Sequence, residues 1–251
     1  MFELSDQQLL RYSRQILLPQ VDVAGQLKLA QGRVLIVGMG GLGAPAALYL
    51  AAAGVGCLHL SDFDQVDISN LQRQVLYDLD AIGRAKAAVA AERLRRLNPD
   101  IDLHVHQQAM DAETLANLLT EVDLVLDCCD NFATRDQVNR VCVQVGKPLV
   151  SAAAVRLEGQ LSTFDPRRDD SPCYHCLYGG GDEAALTCSQ AGVLGPLVGT
   201  MGCLQALEAL KLLAGFGEPL VGRLLLMDAL TGRFREFRVR RDAACEVCSG
   251  R

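Results

Sequence analysis

Three glycines stand where the chain could wrap around a phosphate group. Gly38, Gly40 and Gly43 form a G-x-G-x-x-G pattern directly after a short apolar run that predicts a buried parallel strand. Glycines in such a turn let the backbone approach a phosphate closely, and the free N–H groups of the following helix attract negative charge. A second predicted strand, residues 57–61, ends at Asp62, where a carboxylate that binds ribose is expected. This order of elements predicts a nucleotide site without specifying the nucleotide.

Two further sets of polar groups fit a nucleoside triphosphate better than a dinucleotide. The groups that can bind anions are the glycine turn, Arg14, Asn70, Arg73 and Lys86. The carboxylates are Asp62, Asp64 and Asp130. A triphosphate with Mg²⁺ uses both sets, because cations offset the phosphate charge and a carboxylate holds the metal. A nicotinamide dehydrogenase needs only the turn and one acid, and it has no use for three further cations.

Some of these residues also have local explanations that need no ligand. Lys86 lies in the first turn of the predicted helix 83–97, where the helix dipole disfavours a cation. Either a nearby anion removes that conflict, or the side chain is exposed and unpaired. Asp130 and Asn131 follow the predicted strand 123–128 at its carboxyl end, where open α/β sheets bind ligands. A helix cap explains these two residues about as well.

Two Cys-x-x-Cys pairs are the most specific metal signal in the chain. The pairs are Cys173 with Cys176 and Cys245 with Cys248. Each pair can present two thiolates to one ion, and Zn²⁺ prefers four such ligands in a tetrahedron. Four thiolates leave no open coordination position, so we expect a structural site that fastens the C-terminal tail to the middle of the chain. Two separate dithiol redox pairs are the alternative.

The remaining cysteines and the histidines carry weaker signals. The cysteines that lie in or beside apolar runs are predicted core residues, namely Cys57, Cys128, Cys129, Cys142 and Cys203. Cys188 lies in a predicted mobile loop, where a passive cysteine is favoured over a nucleophile. His59, His104 and His106 fall in predicted strands, and His175 is predicted to be solvated. None of these histidines is an obvious catalytic base.

Composition and charge exclude several classes of protein. The chain has 251 residues, 50% of them hydrophobic and 22% charged, which is typical of a globular protein with a large core. Its net charge of -6 gives no general reason to bind nucleic acid or an anionic membrane. Two uncharged stretches, 34–61 and 184–207, are interrupted by glycine and proline and are interpreted as buried α/β segments. Charged residues occupy the N-terminus where a signal peptide needs an apolar run, so we expect a cytoplasmic protein.

The predicted elements alternate as β-α-β-α-β-α-β, which indicates a doubly wound, Rossmann-like α/β sheet that is mostly parallel. Further strands at 224–227 and 234–239 are predicted to pair antiparallel around the turn at Thr231 and Gly232. Helices are predicted at 5–16, 20–31, 44–53, 83–97, 112–120 and 193–214, with another that ends near Val145. We expect one domain over 1–251. It has an N-terminal helical arm (1–32), a nucleotide-binding core (33–165) and a C-terminal part (166–251) that carries the zinc staple.

An ordered set of segments resembles the HesA/MoeB/ThiF family, the bacterial relatives of ubiquitin-activating enzymes. These segments are 11–15, 38–43, 62–64, 69–73, Lys86, 126–131, 172–176 and 245–248. The resemblance implies an adenylyltransferase that uses ATP to activate the C-terminal glycine carboxylate of a small ubiquitin-like sulfur-carrier protein ending in Gly-Gly. The products are an acyl-adenylate and pyrophosphate. The segments are most similar to the branch that serves molybdenum cofactor biosynthesis, and the thiamine branch is the alternative.

The resemblance also implies roles for individual residues. Asp62 holds the ribose hydroxyls, Asp130 holds Mg²⁺, and Arg14 reaches the triphosphate of the other subunit of a homodimer. Asn70, Arg73 and Lys86 contact the phosphates, and the four paired cysteines are structural zinc ligands. The full implied nucleotide site is Gly38, Gly40, Gly41, Gly43, Asp62, Asp64, Ser69, Asn70, Leu71, Gln72, Arg73, Lys86, Asp130 and Asn131. The loop after Tyr178 would lie over the extended tail of the carrier.

Two other classes of function stay open at this point. A dinucleotide oxidoreductase predicts tight NAD(H) binding, with Arg14, Arg73 and Lys86 idle. A zinc-stapled scaffold without catalysis predicts carrier binding and no exchange between ATP and pyrophosphate. In the thiamine branch a cysteine near Cys188 is proposed to bond to the carrier, and the sequence leaves that role undecided.

Overall fold

The computed structural model describes residues 3–179 and 191–250 of this chain. Within them, one sheet has the strand order β3-β2-β1-β4-β5-β6-β7-β8. The strands are β1 Arg33–Val37, β2 Cys57–Ser61, β3 Asp102–His106, β4 Leu124–Asp127, β5 Leu149–Val155, β6 Glu158–Phe164, β7 Arg223–Asp228 and β8 Arg233–Arg238. Neighbouring strands pair in parallel from β3 to β5 and antiparallel from β5 to β8. The predicted fold class is confirmed.

The helices differ from the prediction in two places: the first is divided in two, and a short helix at 174–178 was not predicted. They are α1 Asp6–Arg11, α2 Ser13–Ile16, α3 Asp22–Gln31, α4 Gly43–Ala53, α5 Lys86–Leu97, α6 Ala112–Leu119, α7 Phe132–Val145, α8 Tyr174–Tyr178 and α9 Gly195–Ala214. The single helix predicted for 5–16 is divided at Tyr12, which is buried. The Tyr12 hydroxyl accepts a hydrogen bond of 2.8 Å from Asn98 Nδ2. This long-range contact and the burial of the ring accompany the break in the helix.

Helices cover both faces of the parallel half of the sheet. Successive residues of β1 point to opposite faces. Ile36 therefore joins the cluster formed with α4, α5 and α9, whereas Leu35 joins the cluster formed with α6 and α7. Val89, Ala90 and Leu94 of α5 are buried, whereas Leu97 is 39% exposed. Leu97 is the last residue of the helix, where the packed face ends.

Helix α9 connects the two halves of the sheet. It packs against α4 and β5 of the parallel half and against β6 of the antiparallel half. By length and composition alone it is the one helix among the described residues that could cross a membrane, and half of its most apolar window is buried inside the fold. We therefore interpret α9 as a core helix.

The predicted core cysteines and strand histidines occupy the sheet region. Cys57, Cys128, Cys129 and Cys142 are buried, and Cys203 is only partly buried. The rings of His104 and His106 stack on that of His59, with centroid separations of 4.6 and 5.4 Å. Burial, followed by the charges of the other two imidazoles, lowers the pKa of His59 to about 4. The His59 ring is therefore uncharged at neutral pH.

Candidate functional site

The carboxyl ends of three adjacent strands bring the predicted nucleotide-binding segments to one edge of the sheet. Val37, the last residue of β1, lies beside Ser61 of β2 and Asp127 of β4. The Gly38 N–H donates to the Ser61 carbonyl at 2.8 Å, so the glycine turn begins next to Asp62. The loop that leads to Asp130 leaves β4 at the same edge. In doubly wound sheets, ligands bind in the crevice outside this edge.

The glycine turn is closed too tightly for side chains at two positions. Gly38 has a φ of +93°, and a Cβ there would lie 2.7 Å from the Cys128 carbonyl oxygen. A Cβ on Gly43 would overlap the Gly38 carbonyl oxygen. By contrast, a Cβ on Gly40 would meet only the Gln74 amide, at 3.5 Å. The turn is therefore fixed at its ends and keeps open space at Gly40.

Asp62 lies against this turn, where a nucleotide site needs a carboxylate for the ribose hydroxyls. Its Oδ2 accepts from the Met39 N–H at 2.7 Å and its Oδ1 from the Asp64 N–H at 2.8 Å. A carboxylate oxygen has a second lone pair, so each oxygen can still accept from a ligand hydroxyl. Burial raises the pKa of Asp62, and the positive charge of Lys86 opposes that shift.

The positive charge of Lys86 is compensated by an anion. Of the two explanations for a lysine in the first turn of this helix, the nearby anion is therefore the correct one. Its Nζ lies 2.8 Å from Asp64 Oδ2, and the Lys86 side chain is only 7% exposed. The Asp64 side chain is 56% exposed, so the pair has one buried and one open member. A phosphate that binds Lys86 has to share this cation with Asp64 or replace the carboxylate.

The segment from Asp67 to Arg73 presents a second group of polar atoms. Asp67 Oδ1 accepts from both the backbone N–H and the hydroxyl of Ser69, at 2.8 and 2.6 Å. Asn70 Oδ1 in turn accepts from the Asp67 N–H at 3.2 Å. Arg73 Nη1 donates to the Ser69 carbonyl at 3.0 Å, and its side chain passes beside Gly41. Leu71 and Gln72 lie in the turn between these residues.

Asp130 and Asn131 are adjacent but differ in their contacts. Asn131 Oδ1 accepts from the Thr134 N–H at 2.9 Å and so caps helix α7. Asp130 is exposed and has no hydrogen bond or ion pair within residues 3–179 and 191–250. The cap explains Asn131 and leaves the Asp130 carboxylate available to a cation.

Beneath this loop lies a buried ion pair that the sequence analysis did not predict. Arg135 Nη1 is 3.3 Å from Asp127 Oδ2, and the same oxygen accepts from the Ser151 hydroxyl at 2.6 Å. Arg135 Nη2 also donates to the carbonyls of Cys129 and Ala152. The pair holds the backbone directly before Asp130. An acid in the otherwise apolar run of β4 was the available signal, because a buried carboxylate needs a partner.

Replacing Arg135 with methionine is expected to destabilise the protein by about 3–5 kcal/mol, because the Asp127 charge would stay buried without its partner. The matched control is Arg140→Met on the same helix, because the Arg140 side chain is 46% exposed in its ion pair with Asp136. That change is expected to cost less than about 1 kcal/mol. Urea unfolding of both variants tests the difference, and equal losses would contradict a structural role for the buried pair.

Two further residues of the site have no recognisable sequence signal. Gln74 is buried, its amide nitrogen faces Gly40, and its Oε1 has no hydrogen-bond partner among the described residues. The Tyr77 hydroxyl donates to the Met39 carbonyl at 2.7 Å and so braces the glycine turn. An unsatisfied buried acceptor beside an open turn is the kind of group that a bound ligand can satisfy.

Arg14 lies far from this edge within its own chain. Its neighbour Gln15 donates to the Ala53 carbonyl at 3.0 Å, at the C-terminal end of α4. The glycine turn meets the other end of α4, and a helix of this length spans about 16 Å. Arg14 is exposed and has no ion pair with the described residues. A role at a triphosphate therefore requires a second chain.

The four paired cysteines meet in one cluster, as predicted. The Sγ–Sγ separations are 3.8 Å for Cys173 and Cys176, 3.7 Å for Cys173 and Cys245, and 3.4 Å for Cys176 and Cys248. Four thiolates around Zn²⁺ lie about 3.8 Å apart, so the arrangement fits the ion. The Asp242 N–H and the Asn139 amide also approach sulfur atoms. His175 is not solvated as predicted, because its Nδ1 lies 3.1 Å from Asp136 and its side chain is 11% exposed.

The predicted loop cysteine, Cys188, lies outside the described residues, as does most of the predicted loop 178–191. Two candidate sites remain among the described residues. One is the sheet edge with its glycine turn, and the other is the four-cysteine cluster.

Comparisons with known proteins agree with this geometry. The model of the ThiF family matches residues 12–247. The chain is 51% identical over 248 residues to the molybdopterin-synthase adenylyltransferase of Escherichia coli, with 99% of both chains covered. It is 48% identical to the sulfur carrier protein ThiS adenylyltransferase of the same species, with 98% of both chains covered. Among solved structures, Escherichia coli MccB with ATP has a TM-score of 0.83 at 25% identity, covering 95% of this chain and 73% of MccB.

Proposed function

This chain belongs to the ThiF family, and from that premise we propose that it is an adenylyltransferase that activates a ubiquitin-like sulfur-carrier protein. The carrier is of the kind used in molybdenum cofactor biosynthesis. Activation of the thiamine-type carrier is the second candidate, because a ThiS adenylyltransferase is 48% identical to this chain. The observation that carries the proposal is the exposed, unpaired Asp130 at the sheet edge shared by the glycine turn, Asp62 and Lys86.

In the proposed reaction, the terminal carboxylate of the carrier attacks the α-phosphorus of ATP. A bond forms between the carboxylate oxygen and phosphorus, the bond to the β-phosphate oxygen breaks, and pyrophosphate leaves. No proton has to move, so catalysis depends on alignment and on offsetting phosphate charge. This agrees with the absence of a recognisable catalytic histidine in the sequence.

The residues of the sheet edge divide these tasks. The glycine turn, which is open at Gly40, receives the nucleotide, and Asp62 accepts from the ribose hydroxyls. Asn70, Arg73 and Lys86 bind the phosphates, while Gln74 offers a free acceptor beside the turn. Asp130 would hold Mg²⁺, which, when bound, supplies further positive charge next to the triphosphate. Asp64 keeps Lys86 in place until the nucleotide arrives.

The four-cysteine cluster would hold a structural Zn²⁺, since four thiolates leave no position for a substrate. We further propose that 1–251 acts as one adenylation unit in the cytoplasm, with the part after residue 165 receiving the carrier. The partners in this proposal are the carrier protein and a second copy of this chain.

A panel of carrier proteins ending in Gly-Gly tests the proposed function. Purified protein is incubated with ATP, Mg²⁺, labelled pyrophosphate and one carrier at a time. We expect label to enter ATP only when a suitable carrier is present, and fastest with a molybdopterin-type carrier. Preference for the thiamine-type carrier would select the second candidate. Carrier binding without exchange would support the scaffold, and tight NAD(H) binding without exchange would support an oxidoreductase.

Mixing two inactive variants tests the placement of Arg14 in the site of another subunit. Arg14→Ala and Asp130→Asn are each expected to lack activity, because each removes one part of every site. After dissociation and random reassociation, half of the dimers contain both variants, and each of these has one intact site. We therefore expect about a quarter of the wild-type exchange rate, a consequence of two-fold symmetry. Each variant reassociated with itself is the control, and no recovery in the mixture would place Arg14 outside the partner's site.

A further inference from the structure

Strands β2 and β3 carry a cluster of metal-binding side chains that the adenylation site does not use. Cys57 and His59 lie two residues apart on β2, so they point to the same face of the sheet. His59 is in register with His104 on β3, the strand at the edge of the sheet. One ligand atom from each of Cys57, His59 and His104 lies within 4.8 Å of the others.

We propose that Cys57, His59 and His104 form a second metal site, which binds a borderline divalent ion such as Zn²⁺ and leaves the fourth position open to solvent. A thiolate with two imidazoles is a ligand set that this class of ion prefers over Mg²⁺ or Ca²⁺. Ligand atoms around a tetrahedral zinc lie roughly 3.5 Å apart. Small rotations of the three side chains therefore suffice to close the site.

The hydrogen bonds of His59 leave one nitrogen free for an ion. His59 Nδ1 lies 3.1 Å from His106 Nε2, whereas its Nε2 has no partner among the described residues, although the side chain is almost fully buried. With a proton on Nδ1, His59 donates to His106 and presents a bare Nε2. A histidine that binds a metal commonly donates its other N–H to a neighbour in this way, which fixes the ring and its tautomer. His106 is therefore a positioning residue.

Charge and access around the cluster also favour a cation. The Cys57 sulfur interacts electrostatically with three carboxylates, those of Asp102, Glu121 and Asp123. The guanidinium of Arg33 is the one positive charge that opposes them. Asp102 is directly in register with Cys57. His104 is exposed, so an ion can enter from solvent. Once bound, the ion would fasten the edge strand β3 to β2.

Cobalt binding tests this proposal apart from the enzymatic activity. The protein is first given one equivalent of Zn²⁺, which fills the four-cysteine cluster, and is then titrated with Co²⁺. A cysteine thiolate bound to Co²⁺ produces an ultraviolet charge-transfer band. We expect one further equivalent of Co²⁺ to bind with this band, and the zinc content to stay at one per chain.

Substitutions assign the band to the proposed ligands. Cys57→Ala is expected to abolish it, and His104→Ala to weaken Co²⁺ binding by about 10-fold or more. His104 is exposed, so its replacement keeps the test valid even if Cys57→Ala does not fold. Cys203→Ala, a cysteine outside both clusters, should leave binding unchanged. The absence of the band in the wild type at millimolar Co²⁺, or its persistence in both ligand variants, would overturn the proposal.

Discussion

Replacing Asp130 with asparagine is expected to reduce carrier-dependent exchange between ATP and pyrophosphate by about 10²- to 10³-fold, the loss typical of one electrostatic group at a charged transition state. Asp130 is exposed and unpaired among the described residues, so its removal breaks no internal contact. The free energy of unfolding should therefore hardly change. Raising the Mg²⁺ concentration should restore part of the activity, because the weakened site can be filled by mass action.

The matched control is Asp100→Asn, which removes the same charge from an exposed position just before β3. That position lies at the amino edge of the sheet, opposite the proposed site. We expect exchange in this variant to stay near the wild-type rate. A rate for Asp130→Asn within a few fold of the wild type at every Mg²⁺ concentration, including the lowest, would remove Asp130 from the proposed catalytic set.

Removing the metal from the four-cysteine cluster is expected to release the C-terminal tail and to lower the melting temperature by about 10 °C or more. Structural zinc sites contribute apparent binding free energies of about 10–16 kcal/mol, which is comparable to the whole stability of a domain. Cys173, Cys245 and Cys248 are buried, so the empty cluster would leave polar thiols in the interior around the segment after β8. Cys245→Ser should have the same effect as a strong chelator.

Zinc content, melting temperature and limited proteolysis measure this outcome together. Cys203→Ser is the control, because Cys203 is partly buried and belongs to no metal-binding cluster among the described residues. It should keep its zinc and its melting temperature. If Cys245→Ser melted at the wild-type temperature and resisted protease equally, the cluster would not hold the fold together. The alternative of two redox pairs would then regain support.

The sheet could be predicted from the sequence because its strands are short apolar runs with clear ends. The run of β1 stops at Gly38 and β2 ends directly before Asp62, so both strands end where the sequence predicts. The division of the first helix at Tyr12 could not be predicted, because it accompanies a contact with Asn98, which is 86 residues away. Local patterns contain no information about such a partner.

The candidate site, too, could be predicted from the sequence only in part. In the sequence, Asp62, Lys86 and Asp130 stand at the ends of predicted elements, and the structure brings their segments to one edge of the sheet. The pairing of Lys86 with Asp64 joins residues 22 positions apart, and the sequence left open whether an anion compensates the lysine or its side chain is exposed and unpaired. Gln74 and Tyr77 lie in a segment without periodicity, so only their three-dimensional contacts reveal them.

The packing of helix α9 decides where chimeras between members of the family can be joined. Although it follows residue 165 in the chain, its Val198 contacts Gly41 and its Gly202 packs against the Leu42 carbonyl. A chimera joined near residue 166 would place a foreign helix against the native phosphate-binding turn. A junction after Ala214 would keep helix α9 together with the glycine turn that it packs against. Only a chimera of this second kind would show a change in carrier preference without also damaging ATP binding.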